Sequence, residues 1–229
     1  MKPQKNERLY VHWTNPRYYG LLALRKAIEF VIEKYVAKTQ GKLAIDLGCG
    51  TMPYKPLFEP YLTNYLGADI PMNKDADLLM DMDTGKVDAE NEMFDFIVST
   101  QVLEHVTSPE NYLKEAHRLC KKEGLLFIST HGFWLYHPDP NDYWRWTAAG
   151  LQKILRDNNW ETVEIIGLLG FAAAAMSLFQ DALVKRLPKY LQKPFWIIMQ
   201  RVVKFMDRFY NEQTRMENAA LYLVIAKKN

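Results

Sequence analysis

Cysteine is scarce in this chain. Only Cys49 and Cys120 occur among 229 residues, with no metal-ligand spacing between them, which argues against a disulfide framework or a cysteine-built metal centre. Glycine-serine and charged linkers are missing, so nothing in the composition divides the chain. Residues Met1 to Asn15 are polar and lack the apolar core of a secretory signal. The uncharged stretch from Ile165 to Gln180 is sixteen residues long, short of the roughly 20 that a membrane-spanning helix needs. These absences predict one large domain, 48% apolar, in a reducing cytoplasm.

Among what is present, the most informative stretch is Leu43-Ala44-Ile45-Asp46-Leu47-Gly48-Cys49-Gly50-Thr51. A continuous apolar run reads as a buried parallel strand, and glycines directly after it let the backbone approach a ligand. A dinucleotide fingerprint would need a third glycine in G-x-G-x-x-G. Pro53 stands there instead, with no N–H to offer a phosphate. Similar short apolar runs ending in acids follow. Tyr65-Leu66-Gly67-Ala68-Asp69-Ile70 carries its acid, Asp69, 19 positions after Gly50, where a βαβ unit returns its second strand. Asp77-Leu78-Leu79-Met80-Asp81-Met82-Asp83 is the third run, and the fourth, Phe94 to Thr100, leads into Gln101-Val102-Leu103-Glu104-His105-Val106. Each acid taken singly could equally cap a helix or a turn.

In order and spacing these four segments resemble the cofactor motifs of the class I S-adenosylmethionine-dependent methyltransferases. The resemblance implies S-adenosylmethionine as cofactor, with Asp46, Gly48, Cys49 and Gly50 shaping the first loop and Asp69, followed by Ile70, taking the ribose hydroxyls. It places the Asp81 carboxylate on the adenine amino group and the Met82 N–H on a ring nitrogen, with Asp83 as the alternative acid. Thr100 and Gln101 complete the cofactor site.

Strands are predicted at 43–47, 65–69, 77–80, 94–99 and 124–130, then near 161–167 and 220–226. A helix is predicted from about Pro16 to Thr39, with Leu21, Leu24, Ile28, Val31, Ile32 and Tyr35 on its apolar face. Ser108-Pro109-Glu110 starts another, running past Cys120 to a stop at Gly124. The fold expected is α/β: a Rossmann-like, doubly wound seven-stranded sheet with helices on both faces, an N-terminal helix and a helical insertion before the last strand. Within a single domain 1–229, residues 1–42 form the helical cap, 43–170 the cofactor core, 171–215 the insertion and 216–229 the final strand.

After the fifth strand comes an unusual loop from His131 to Thr147, rich in aromatics and broken by Pro138 and Pro140. Its His-Pro-x-Pro-x-Asp-Tyr-Trp-Arg-x-Thr stretch, with the Pro53-Tyr54 step, narrows the resemblance to a branch of small methyltransferase-domain proteins often associated with bacterial surface-glycan synthesis. That implies a sugar, a lipid-linked glycan or another small molecule as acceptor, methylated at oxygen. An acceptor with a proton to lose benefits from a base, and His131, His137 and His105 are the candidates. Trp134, Tyr136, Asp142, Tyr143 and Arg145 are candidate acceptor contacts, although Asp142 and Arg145 could instead pair to close the loop and the aromatics could be core. No metal site is expected. The other reading is a catalytically inactive cofactor-binding regulatory subunit.

The overall charge of +2 conceals polarity. Residues 43–180 hold ten Lys or Arg against twenty acids, whereas 181–215 hold eight against three and 1–42 nine against three. The acidic middle argues against nucleic acid as a partner. Within 181–215, Phe195, Ile198, Val202, Phe205, Met206 and Phe209 share one side of a helix and Arg201, Lys204 and Arg208 another. Such a helix either meets an anionic membrane peripherally or covers the domain or a second subunit. The second alternative is the expectation.

Overall fold

The computed structural model describes residues 6–81 and 84–229. Its centre is a seven-stranded sheet. Five strands run parallel: β1 (Leu43–Leu47), β2 (Asn64–Asp69), β3 (Leu78–Leu79), β4 (Phe94–Thr100) and β5 (Cys120–His131). β7 (Leu221–Lys228) lies antiparallel between β5 and β6 (Trp160–Leu168), giving the order β3-β2-β1-β4-β5-β7-β6. Every residue of β4 is buried, so its apolar run Phe96-Ile97-Val98 shows no alternation with exposed residues.

Alternate residues of the central strands feed two cores, as the strand period of two requires. Phe96, Val98 and Phe127 pack on one face with Leu24, Ile28 and Val31 of α1 (Tyr18–Val31). Ile97, Leu126 and Ile128 pack on the other with Leu113 and Leu119 of α3 (Pro109–Leu119) and Leu151 of α4 (Ala148–Asp157). α1 continues into a single π turn at Ile32–Val36, and a short α2 spans Lys55–Phe58.

Local punctuation explains most boundaries. The Ser108 side chain accepts the Asn111 N–H with Pro109 in the first turn of α3, and Thr147 accepts the Gly150 N–H at the start of α4. Side-chain oxygens at these caps satisfy donors that the helix leaves free. One expected boundary is corrected. The helix expected to run past Cys120 ends at Leu119, and Cys120 opens β5 opposite Phe94. The reason is tertiary: Lys121 and Lys42 both converge on Asp95 at the start of β4.

Three helices stand between β6 and β7: α5 (Phe171–Val184), α6 (Lys189–Asp207) and α7 (Glu212–Glu217). The face of α6 turned inward is Met199, Gln200, Val203 and Asp207. Of the side expected to cover the domain or a second subunit, Phe195, Val202 and Met206 are half-buried, but Ile198, Phe205 and Phe209 are exposed, which corrects the expectation that the domain covers that whole side. Polar anchors set the rotation: Gln200 Oε1 accepts the Tyr19 N–H, and Asp207 accepts from the Gly170 N–H and the Tyr19 hydroxyl. No helix among the described residues is long and apolar enough to cross a membrane.

Candidate functional site

Because β1, β2, β4 and β5 are parallel, their carboxyl ends open onto one edge, and the strand order reverses between β1 and β4. Ligands of open α/β sheets bind at such a switch point. A cavity of about 750 Å³ lies there, lined among others by Gly48, Cys49, Gly50, Asp69, Ile70, Asp81, Thr100 and Gln101. Two backbone hydrogen bonds hold the glycine loop, from the Gly48 and Cys49 N–H groups to the Ala68 carbonyl. Gly48 has φ +69°, and a Cβ there would meet Val102 Cγ1 at 2.6 Å. Gly50 has only open space where its Cβ would be.

Asp69 ends β2 under this loop. Its Oδ2 accepts the Gly50 N–H at 2.8 Å and the Asn73 side-chain amide at 2.9 Å, while Oδ1 accepts the Ile70 N–H. A carboxylate has about four acceptor sites, so one remains while Asn73 holds its place. Asp81 accepts the Thr84 N–H at 2.7 Å and the Thr84 hydroxyl at 2.6 Å. Met82 and the alternative Asp83 lie outside the described residues.

Asp46, expected beside the cofactor, does not line the cavity; it is buried behind the loop, taking a hydrogen bond from the Tyr65 hydroxyl at 2.9 Å. Burial pushes its carboxyl up to about 7, against the lowering effect of Tyr65. Its Oδ1 has no hydrogen-bond partner among the described residues.

A second cavity, about 180 Å³, adjoins the first, and Arg8, Gln101, His105 and Asp139 line both. Its walls carry His131, His137 and Trp134, closed from the other side by Arg17, Ser177 of α5 and Gln200 of α6. The three candidate histidines therefore come together, with ring centroids 4.7 Å apart for His131 and His137 and 5.0 Å for His105 and His137. His105 is held through Nδ1 by the Asn141 carbonyl, and His137 through Nδ1 by the Leu135 carbonyl at 3.1 Å.

His131 differs from the other two. Its Nδ1 lies 2.5 Å from Oε1 of Glu104, a fully buried carboxylate whose Oε2 accepts the Thr130 hydroxyl at 2.8 Å. Burial holds the imidazole below its usual value of 6.5 against the upward pull of Glu104. For Glu104, burial raises the carboxyl, but the hydrogen bonds led by His131 outweigh it and the net direction is down. The pair is thus a carboxylate and a neutral imidazole with its proton on Nδ1, leaving the Nε2 lone pair free. Glu104, His131 and His137 also present ligand atoms within 4.8 Å of one another. Those residue types suit a divalent ion, although the Glu104 carboxylate is already committed to His131 and Thr130.

The remaining loop candidates divide. Trp134 reaches the smaller cavity, with the Arg17 guanidinium 4.9 Å from its ring centroid. Tyr136 and Tyr143 do not; both point to solvent, which corrects their expected acceptor role. Asp142 and Arg145 line neither cavity and instead clamp the loop. Arg145 grips Asp142 through both guanidinium ends at 2.5 and 2.6 Å and donates to the Trp134 and Leu135 carbonyls. That guanidinium holds the Asp142 carboxyl down at about 2.

Several lining residues had no signal in the sequence. Arg8, Arg17, Ser177 and Gln200 come from segments outside the motifs and reach the site only by packing. Glu104 was visible inside the Gln101 to Val106 stretch, but its partner His131 lies 27 residues on.

With this geometry in place, comparison with known proteins is informative. A family model described as a methyltransferase domain matches residues 18–165. A ubiquinone biosynthesis O-methyltransferase from Glaesserella parasuis is 46% identical over 41 residues, a match spanning 18% of this chain and 17% of that protein's length. Among solved structures, the cyclase SpnF is similar at a TM-score of 0.56 and 14% identity, over 89% of this chain and 80% of that one. A candidate methyltransferase from Bacillus halodurans gives 0.56 and 13%, over 88% and 99%. Phosphoethanolamine N-methyltransferase 2 of Haemonchus contortus, solved with S-adenosyl-L-methionine, gives 0.54 and 14%, over 97% and 58%. At such identities these are likenesses of fold.

Proposed function

We propose that this chain, which belongs to the methyltransferase domain family, moves a methyl group from S-adenosylmethionine to a hydroxyl of a small acceptor held in the smaller cavity. It is an S-adenosylmethionine-dependent methyltransferase. The acceptor oxygen, and a sugar, lipid-linked glycan or other small molecule as its source, are our reading. One observation carries it: the Glu104–His131 pair presents a neutral imidazole to a cavity that shares Gln101 and His105 with the larger one.

The larger cavity fits the cofactor in shape and donor set. Open space at Gly50 lets a ligand approach the backbone, and Asp69 offers a carboxylate to a ribose diol, whose second hydroxyl would take the place of the Asn73 amide. Asp81, Thr100 and Gln101 would line the rest. When bound, the cofactor supplies an electrophilic methyl group on a sulfonium.

The chain's own work is positioning and proton management. Holding two reactants in line can be worth roughly 7 to 11 kcal/mol. Trp134 offers a flat apolar wall to an acceptor, and the Arg17 guanidinium, 4.9 Å from its ring centroid, holds that ring in place. Nε2 of His131 takes the hydroxyl proton as the oxygen attacks, and Glu104 stabilises the resulting imidazolium. His105 and His137 orient around it.

The test has two stages. Calorimetry with S-adenosylhomocysteine and, in parallel, NAD should show saturable binding of the first alone. Transfer of a labelled methyl group from S-adenosylmethionine to a panel of hydroxylated acceptors should then give a product that His131→Ala does not make. Product formed equally well by His131→Ala would remove the base assignment. Cofactor binding without transfer to any acceptor would favour the regulatory-subunit reading.

A further inference from the structure

The α5–α6 insertion leaves an apolar surface uncovered. On α6, Ile198 is 59%, Phe205 55% and Phe209 69% exposed, and Leu191 lies on the same stripe, seven residues or about two turns before Ile198. On α5, Phe171 and Phe179 are exposed as well. This stripe of α6 points away from the inward face of Met199, Gln200, Val203 and Asp207, and nothing among the described residues covers it.

Charge identifies the occupant. Lys193, Arg201, Lys204 and Arg208 flank the stripe along one side of α6, and Lys185, Arg186 and Lys189 stand at its amino-terminal end; all seven are exposed and none forms an ion pair among the described residues. The three acids of residues 181–215 do not offset them. Asp181 is held by Arg17, and Asp207 is buried with Arg215. Only Glu212 is exposed. Long basic side chains beside exposed aromatic and aliphatic groups suit an anionic lipid surface, where the stems lie in the apolar layer and the heads reach phosphates. A symmetric contact between two copies would bring two such basic surfaces together.

We infer that the outer face of α5 and α6 docks peripherally on an anionic lipid bilayer. The same helices contribute Ser177 and Gln200 to the smaller cavity, so docking would hold that cavity close to the lipid surface. The inference is independent of methyl transfer, since vesicle binding is read without methyl donor or acceptor.

The experiment is co-sedimentation of the full chain with vesicles of phosphatidylcholine alone or mixed with phosphatidylglycerol. We expect binding to the anionic vesicles, weakened by added salt because surface attraction is screened. The Phe205→Asp/Phe209→Asp variant and the Lys193→Gln/Arg201→Gln/Lys204→Gln/Arg208→Gln variant should each weaken partitioning by roughly tenfold or more. Both change exposed positions, and unchanged circular dichroism and S-adenosylhomocysteine affinity would show that the fold is kept. No binding to either vesicle by the unaltered chain would overturn the inference, as would binding that both variants retain. Light scattering completes the test: a dimer abolished by Phe205→Asp/Phe209→Asp, without vesicle binding, would assign the surface to a second copy instead.

Discussion

The carboxylate of Glu104 and the imidazole of His131, 27 residues apart in the chain, meet at 2.5 Å where β4 and β5 end side by side. Glu104 also receives the Tyr143 and Trp144 N–H groups on its carbonyl, so one residue joins the buried carboxylate–imidazole pair to the aromatic loop. Each part of this arrangement makes a separate demand on experiment.

His131→Ala should lower turnover by roughly 10² to 10⁴ and leave S-adenosylhomocysteine affinity unchanged in calorimetry. The rate of the unaltered enzyme should rise with pH as the imidazole loses its proton, levelling off by neutral pH because burial holds His131 below 6.5. Glu104→Gln removes the charge that supports the imidazolium. Its limb should move to lower pH while its plateau falls.

The same depressed value bears on stability. Between the folded value of His131 and the ordinary 6.5, the unfolded chain binds more protons than the folded one, so stability rises with pH across that window. The contribution is complete above about 6.5 and is lost on acidification. Chemical denaturation from pH 7 downward should show a decline that His131→Asn reduces.

Asp69→Ala should weaken S-adenosylhomocysteine binding by roughly 10-fold to 150-fold, the equivalent of about 1.5 to 3 kcal/mol for hydrogen bonds to a charged group. Asp69→Asn, which keeps one acceptor for the Gly50 N–H, should lose less. Equal affinity in all three proteins would sink the ribose assignment.

At Gly48 two penalties coincide: φ of +69° and a Cβ position 2.6 Å from Val102. Gly48→Ala should therefore displace the loop and reduce cofactor affinity. Adding Val102→Ala relieves the contact but leaves the backbone strain of about 1 to 2 kcal/mol, so recovery should be partial in the same calorimetric assay.

Arg145→Ala leaves the Asp142 carboxylate without its main partner, a loss of about 1 to 3 kcal/mol. The melting temperature should fall by about 2 to 4 °C per kcal/mol. Since the clamp shapes the loop carrying Trp134 and His137, the acceptor KM should rise while cofactor affinity stays. Arg145→Lys, unable to make the two-ended contact, should resemble Ala more than the parent.

The strands and the cofactor edge were legible because their signals are local. Five apolar runs, the first three closed by glycine or an acid, mark the five parallel strands, and Asp69, Asp81, Thr100 and Gln101, expected at the cofactor from the resemblance, all line the larger cavity at their carboxyl ends. The Cys120 boundary was not legible, since Asp95 and its two lysines decide it from another strand. Periodicity marked the two faces of α6 but could not say which turns inward, because Gln200 and Asp207 find their partners on Tyr19 and Gly170. Tyr136 and Tyr143 looked like Trp134 in composition, and only the path of the clamped loop separates them.

By itself, the sequence determined the alternation of strands and helices, the glycine loop and the order of acids along one sheet edge, all properties of hydrophobic period and backbone freedom within short windows. Tertiary structure alone decided which histidine is hydrogen-bonded to a buried carboxylate, which segments close the smaller cavity, and that the apolar stripe of α6 faces outward. Those outcomes depend on contacts between residues far apart in the chain, and no local pattern encodes them.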